Sequence, residues 1–326
     1  MNPEACWSSH PQEWQPLLER WRQDHPELVT LHGWPQRGGQ KVRGITLTGP
    51  KPAEKSFRLL IAVPHAHEPG PTAACVDFAC QLLTGKHRDG SPATDAPAIG
   101  REKILSRALV TLLPDTNSQG RARAPERCWD GKHDNDFFLK VAFGIAADGQ
   151  RFGRYPQWRP SEHKPKQIGI VYEQIEEDLY VESNTSRRST HSKALDETFA
   201  RYRHTHHLDM HQHESDEAAL LPASYDDMPP EQKALTDEWA ARLIEAWRAA
   251  GANPAAKPVV PYRGQPRLEF FKAFWAGRCP GMMRLSSEVR NNRHVKTGEP
   301  TPLAHQFRMA MAAIAATVRF GLGMEK

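Results

Sequence analysis

Apolar residues recur at helical spacing at Trp14, Leu17, Leu18 and Trp21, which predicts an amphipathic helix over roughly 11–24 that Pro26 stops. Two short strand-like runs follow, near 28–32 and 42–48, joined by a Gly38-Gly39 turn. The run 58–63 is almost wholly apolar and ends at Pro64, the pattern of a central strand buried on both faces. A second such run covers 108–113, and between the two the stretch 71–83 reads as a helix with Pro71 near its first turn. Leu195, Phe199 and Tyr202 mark a helix, Leu235, Trp239, Leu243 and Trp247 another over 231–249, and Leu303, Phe307, Met311, Ile314 and Val318 a long C-terminal one. Residues 207–210 and 282–289 read as two further strands. Strands alternating with helices predict an α/β fold, a single α/β/α sandwich whose mixed sheet is flanked by helices, with 1–326 as one domain. The segment 148–188 is polar and rich in proline, arginine and aromatics. It is read as a long surface excursion too poor in periodic apolar residues to build its own core.

Composition narrows the function classes. Of 326 residues, 39% are hydrophobic, ample for a core, yet no apolar run reaches the ~18 residues of a membrane span. The opening Met1-Asn2-Pro3-Glu4-Ala5-Cys6 has neither a basic nor an apolar leader region, so a cytoplasmic location is expected. The net charge of +4 comes from acidic and basic residues mixed along the chain, not from the clustered basic face that nucleic acid requires. Cys6, Cys75, Cys80, Cys128 and Cys279 are irregularly spaced and form no CxxC, so free thiols are expected in place of a thiolate metal site.

The candidate chemistry lies in two histidine stretches far apart in sequence. Val63-Pro64-His65-Ala66-His67-Glu68 begins at the end of the first apolar strand, the place where open α/β sheets bind ligands. In Leu208-Asp209-Met210-His211-Gln212-His213, His211 follows directly on the strand read over 207–210. Zinc takes imidazole and carboxylate ligands, and a catalytic zinc keeps one position for water. His65, Glu68 and His211 are therefore read as the ligands of one Zn2+ per chain, although another divalent metal would suit the same donors. His67 competes with His65, and His213, on the same strand face, competes with His211. His204 and His206 are expected to be solvated.

These residues resemble the zinc carboxypeptidases, or metallocarboxypeptidases, through most of the chain. His65-Ala66-His67-Glu68-Pro69 is similar to their HxxE motif. Pro114-Asp115-Thr116-Asn117-Ser118-Gln119-Gly120 is similar to their strand-end segment. His211 falls where the third ligand belongs, 143 positions after Glu68. Ser286-Ser287-Glu288 falls where the family has its glutamate, 77 positions further. The resemblance implies peptide or amide hydrolysis with Glu288 as general base and an arginine stabilising the oxyanion. Arg127, in Arg127-Cys128-Trp129, is the nearest match for that arginine, with Arg121 and Arg123 as competitors. Tyr262 falls near a mobile tyrosine that covers the substrate. The family's Asn-Arg carboxylate clamp corresponds to Asn135-Asp136, and an aspartate there would repel a carboxylate. Arg187, Arg188 or Arg290 would have to stand in for the missing arginine.

Leu208-Asp209-Met210-His211 is also similar to the Asp-Leu-His of succinylglutamate desuccinylases and aspartoacylases. The expected substrate is accordingly a small peptide or an acylated amino acid. The alternatives are an N-acyl amino acid deacylase and a metal-binding module without turnover.

Overall fold

The computed structural model describes residues 1–152 and 157–324. Seven strands form the main sheet: β1 (Val29–Pro35), β2 (Lys41–Thr48), β3 (Phe57–Ala62), β4 (Ala108–Asp115), β5 (His206–His213), β6 (Ala218–Leu220) and β7 (Met283–Arg290). Their order across the sheet is β1-β2-β4-β3-β5-β7-β6. The four central strands run parallel, and the edges add antiparallel partners, so the sheet is mixed. The main helices are α1 (Pro11–Asp24), α2 (Pro69–Thr84), α3 (Asn135–Phe143), α4 (Thr190–Tyr202), α5 (Pro230–Ala249), α6 (Pro266–Trp275) and α7 (Leu303–Gly321).

Alternation along the strands builds a core on both faces. Leu59 and Ile61 of β3, Val110 and Leu112 of β4, and Leu208 and Met210 of β5 pack with Phe78, Trp239, Leu243, Phe307 and Ile314 from α2, α5 and α7. The intervening Leu60, Ala62 and Leu113 pack with Leu195 and Phe199 of α4 and Phe274 of α6 on the other face. A parallel strand with helices on both sides is therefore apolar at successive positions, as its sequence shows. Trp14, Leu18 and Trp21 are the buried side of α1.

The excursion departs from expectation. Three of its strands form a small antiparallel sheet in which Leu179–Glu182 lies in the middle, paired with Gln157–Trp158 on one side and Tyr172–Glu176 on the other. Phe152, Trp158, Val171 and Tyr172 gather with Ala142 and Phe143 at the end of α3 into a separate small core. These apolar residues are few, mostly aromatic and spread over short strands and the loops between them, so no period announces them. Residues 153–156 of the excursion lie outside the described residues. The excursion docks on the stretch after β4. Asn117 donates from Nδ2 to the carbonyls of Ile170 and Val171, each at 3.0 Å. At Gly120 a Cβ would fall 1.9 Å from the Ile170 carbonyl oxygen, so only glycine permits this approach.

His204 and His206 are not solvated. His204 lies 2.9 Å from Thr111 Oγ1 through Nε2. His206 is ringed by Phe57, Trp239 and Phe320. Burial pushes their imidazoles down, to about 3 and about 4, well under the ordinary 6.5. Between those limits the unfolded chain binds protons that the folded chain refuses, so these residues make stability fall as pH drops from about 6.5 towards 4. One proton is worth ~1.4 kcal/mol per pH unit. A His206→Phe variant should therefore lose about 1 kcal/mol less stability than wild type between pH 6 and pH 5, read by denaturant titration of the metal-free proteins. Parallel pH profiles would show that His206 is not held neutral.

Candidate metal centre and cleft

The site forms where three parallel strands end together. His206–Asp209 pair with Leu59–Ala62 on one side of β5, and His206–His213 pair with Met283–Arg290 on the other. The turn between β3 and α2 carries His65, and Glu68 stands at the N-cap of α2, where the helix end favours a carboxylate. The turn is pinned by its neighbours. Thr116 donates to the Val63 carbonyl from its amide at 2.9 Å, and Arg121 donates from Nη1 to the Ala66 carbonyl at 2.8 Å.

His65, Glu68 and His211 offer donor atoms that all lie within 4.8 Å of one another. His65 Nδ1 is 2.8 Å from Glu68 Oε1, and His211 Nδ1 is 3.2 Å from both His65 Nδ1 and Glu68 Oε2. Ligands about 2.0–2.1 Å from a tetrahedral zinc stand roughly 3.4 Å apart, so the spacing fits that ion. Two imidazole nitrogens and a carboxylate are also its usual donors. His211 Nε2 faces Asp209 Oδ2 at 3.2 Å, a carboxylate that orients the ring and leaves Nδ1 to the site. Burial alone would raise the Glu68 carboxyl, but His65 and His211 bring it below the ordinary range. Burial would likewise lower His211, but Asp209 and Glu68 hold it well above its ordinary value.

The two competing histidines are otherwise engaged. His67 is packed against Phe138 and Phe143, with Nε2 3.5 Å from Glu68 Oε1. His213 Nε2 lies 2.8 Å from the Asp216 carbonyl.

Glu288 is the register partner of His211 on β7, so the two side chains leave the same face from strands about 4.8 Å apart. Both line one cleft of about 370 Å³ with His65 and Glu68. Glu288 Oε2 is buried there and has no hydrogen-bond partner among the described residues. Tyr262 also lines this cleft, at a backbone φ of 58°, stacked on Phe271 with Arg267 over its ring.

The expected arginines are elsewhere. Arg127 is half exposed, bound through Nε to Glu13 Oε1 at 2.9 Å and through Nη2 to the Trp7 carbonyl, so its fork braces the N-terminal segment and not the cleft. Arg121 is buried under the turn that carries His65, where burial pushes it down to about 10; it positions the turn without lining the cleft. Arg123 donates to the Tyr172 carbonyl at 2.7 Å and so anchors the excursion. Asn135 donates to the Arg293 carbonyl at 2.9 Å and accepts from Asn292, holding two loops together outside the cleft. Asp136, expected to repel a carboxylate, faces solvent and pairs with Lys140 at 2.7 Å, so it has no such effect. Arg187 donates to the Ala273 carbonyl and Arg188 pairs with Glu176, both away from the cleft.

Two arginines that the sequence reading passed over do line it. Arg284 shares a strand face with Ser286 and Glu288, a two-residue period readable in the sequence. Arg267, from α6, reaches Glu182 at 3.4 Å, and Glu182 Oε1 stands 4.0 Å from His65 Nε2. Glu182 comes from the excursion, and no local motif marks it.

The sequence matches no family model and no curated protein. Solved structures do match. Bovine thrombin-activatable fibrinolysis inhibitor, in complex with tick carboxypeptidase inhibitor, aligns over 98% of this chain and 97% of its own at 13% identity and a TM-score of 0.62. Carboxypeptidase A from Helicoverpa armigera aligns over 96% of this chain and 73% of its own at 12% identity and a TM-score of 0.63. A metallo-carboxypeptidase from Burkholderia cenocepacia aligns over 97% and 70% at 13% identity and a TM-score of 0.56. The fold is that of the metallo-carboxypeptidases. Identity this low speaks of fold alone. Among the described residues no helix is long and apolar enough to cross a membrane.

Elemental analysis tests the donor set. About one zinc per chain is expected in wild type and in His213→Ala, with loss in His211→Ala; the reverse pattern would move the third ligand to His213. Asp209→Asn should weaken zinc binding by about 10–100-fold.

Proposed function

We propose that this protein is a zinc-dependent amide hydrolase that acts on a small peptide or an acylated amino acid. What supports the reading is the convergence of His65, Glu68 and His211 with Glu288 in one cleft of a metallo-carboxypeptidase fold. Zinc held by those three residues supplies a water whose pKa falls to about 7 and a Lewis acid for the scissile carbonyl. Glu288 takes the water's proton and returns it to the leaving nitrogen. Its unpartnered Oε2 leaves an acceptor free for that purpose. Asp209 fixes the ring of His211 through Nε2. Arg267 is the arginine near the reacting centre, with Glu182 between it and His65, and it takes the place expected of Arg127 in stabilising the oxyanion. Tyr262 forms part of the wall against which the substrate lies.

A cleft of about 370 Å³ is at the small end for a ligand site, which favours a short substrate. Asp209 beside His211 keeps the N-acyl amino acid deacylase reading as the second choice. Blocked dipeptides against free acyl amino acids discriminate the two.

Glu288→Gln should keep its zinc and lose about 10²–10⁴ in kcat, since it removes the proton acceptor without touching the ligands. A variant with full turnover would remove Glu288 from this role. A wild-type protein that binds zinc and hydrolyses no amide would make it a metal-binding module without turnover.

A further inference from the structure

A second cavity, of about 770 Å³, lies at the other end of the sheet. Arg58 stands near the start of β3, His204 and Thr205 lead into β5, and Met282 leads into β7. The cavity thus gathers the N-terminal ends of the same three strands whose C-terminal ends build the metal centre. From His206 to His211 the strand β5 rises roughly 16 Å, at about 3.3 Å per residue, so the two places are distinct. Residues of α4 and the loop after α6 complete the lining.

Its charge is one-sided. Arg58, Arg187, Arg203 and Arg278 line it, and Asp196 is the acid among them. Asp196 is taken up by Arg278, with Oδ1 2.8 Å from Nε and Oδ2 3.1 Å from Nη2. Arg187 donates to the carbonyls of Ala273 and Ala276, which carry no charge to balance it. Arg58 and Arg203 make neither a hydrogen bond nor an ion pair through their side chains among the described residues. Burial holds Arg278 below the ordinary arginine value; Asp196 offsets this and the like charge of Arg187 adds to it. Three polar atoms of the lining are buried without a hydrogen-bond partner among the described residues: Arg58 Nε, Arg278 Nη1 and His204 Nδ1. Buried donors left unmade are costly, so a cavity that collects them suits a ligand rich in acceptors.

The donors come from β3, from the end of α4 and from the loop after α6, so they approach from different directions. A planar carboxylate is satisfied by a single arginine fork. A phosphate group presents three acceptor oxygens and about −1.5 to −2 of charge at pH 7, and so can be held by several guanidinium groups at once. Arg278 is kept in place by the Phe274 ring, whose centre lies 4.3 Å from the guanidinium carbon. The volume exceeds what a phosphate alone would fill and falls in the range of about 300–1,000 Å³ of small-molecule sites. We infer that this cavity binds a small phosphorylated molecule, its phosphate held by Arg58, Arg203 and Arg278, at a site separate from the metal centre. The inference does not depend on the hydrolase reading.

Ribose 5-phosphate and ribose differ by the phosphate, so they isolate its effect. Their affinities for the full chain are to be measured by calorimetry, alongside inorganic phosphate. Wild type should bind ribose 5-phosphate at least about tenfold more tightly than ribose. Arg58→Gln and Arg203→Gln should each lower that affinity about tenfold or more. Arg203 is exposed, so its variant answers the question if Arg58→Gln does not fold. Arg20→Gln/Arg22→Gln removes two exposed charges elsewhere and should leave the affinity unchanged. Zinc-loaded and metal-free chains should bind alike, since the metal centre takes no part. No binding of either phosphate probe at 10 mM (~10 mM being far above the range of specific sites) would overturn the assignment. So would binding that disappears with the zinc, or that falls as much in the Arg20/Arg22 variant as in the other two.

Discussion

The site depends on the register of three parallel strands. β5 lies between β3 and β7, and its pairing sets His211 beside Glu288 while the turn leaving β3 delivers His65 and Glu68 to the same end. Side chains alternate with a period of two, so a slip of one residue on either side would turn His211 or Glu288 into the apolar layer. The other face prevents that slip. Leu208 and Met210 are committed to the core against α2, α5 and α7, and burying each is worth about 1.5–3 kcal/mol. The hydrophobic core thus enforces the alignment of polar groups that contribute nothing to it.

Charge in this region is arranged in mutually compensating sets. His211 sits between Asp209 and Glu68, and His65 completes the ring. Isolated buried charges of this kind would be costly, and their mutual attraction offsets the desolvation only when the geometry is close. Outside the ring, the buried polar residues hold backbone in place. Arg121 secures the carbonyl of Ala66, Thr116 that of Val63, and Gln212 accepts from the amide of Gly70 at 2.8 Å while donating to Gln306. The turn that carries His65 and Glu68 is thus held through its backbone from several sides.

Much of this was readable along the chain. Continuous apolar runs marked β3 and β4, and helical spacing marked α1, α5 and α7, because there burial and periodicity coincide. His65, Glu68 and His211 stood out by type and by their place at strand ends. The arginines did not. Arg121, Arg123 and Arg127 are close together in sequence and invite one assignment, yet each is drawn to a different carbonyl or carboxylate, which only the packing decides. Arg284 and Asp209 were visible as every-second-residue partners of Glu288 and His211, and reading each strand face as a row would have found them. Glu182 and Arg267 meet only through tertiary contact.

The cleft combines two kinds of wall. Its floor, from β5 and β7, is fixed by the core of the whole domain. The Glu182 side comes from an excursion with a small hydrophobic cluster of its own, moored to the stretch after β4 by Asn117, Arg123 and the bare backbone of Gly120. The two walls of the cleft thus rest on two different hydrophobic clusters. Evolution can redraw the excursion wall, with its acidic contribution, while His65, Glu68, His211 and Glu288 stay where they are. A designer could treat that segment as a cassette, provided the mooring residues travel with it.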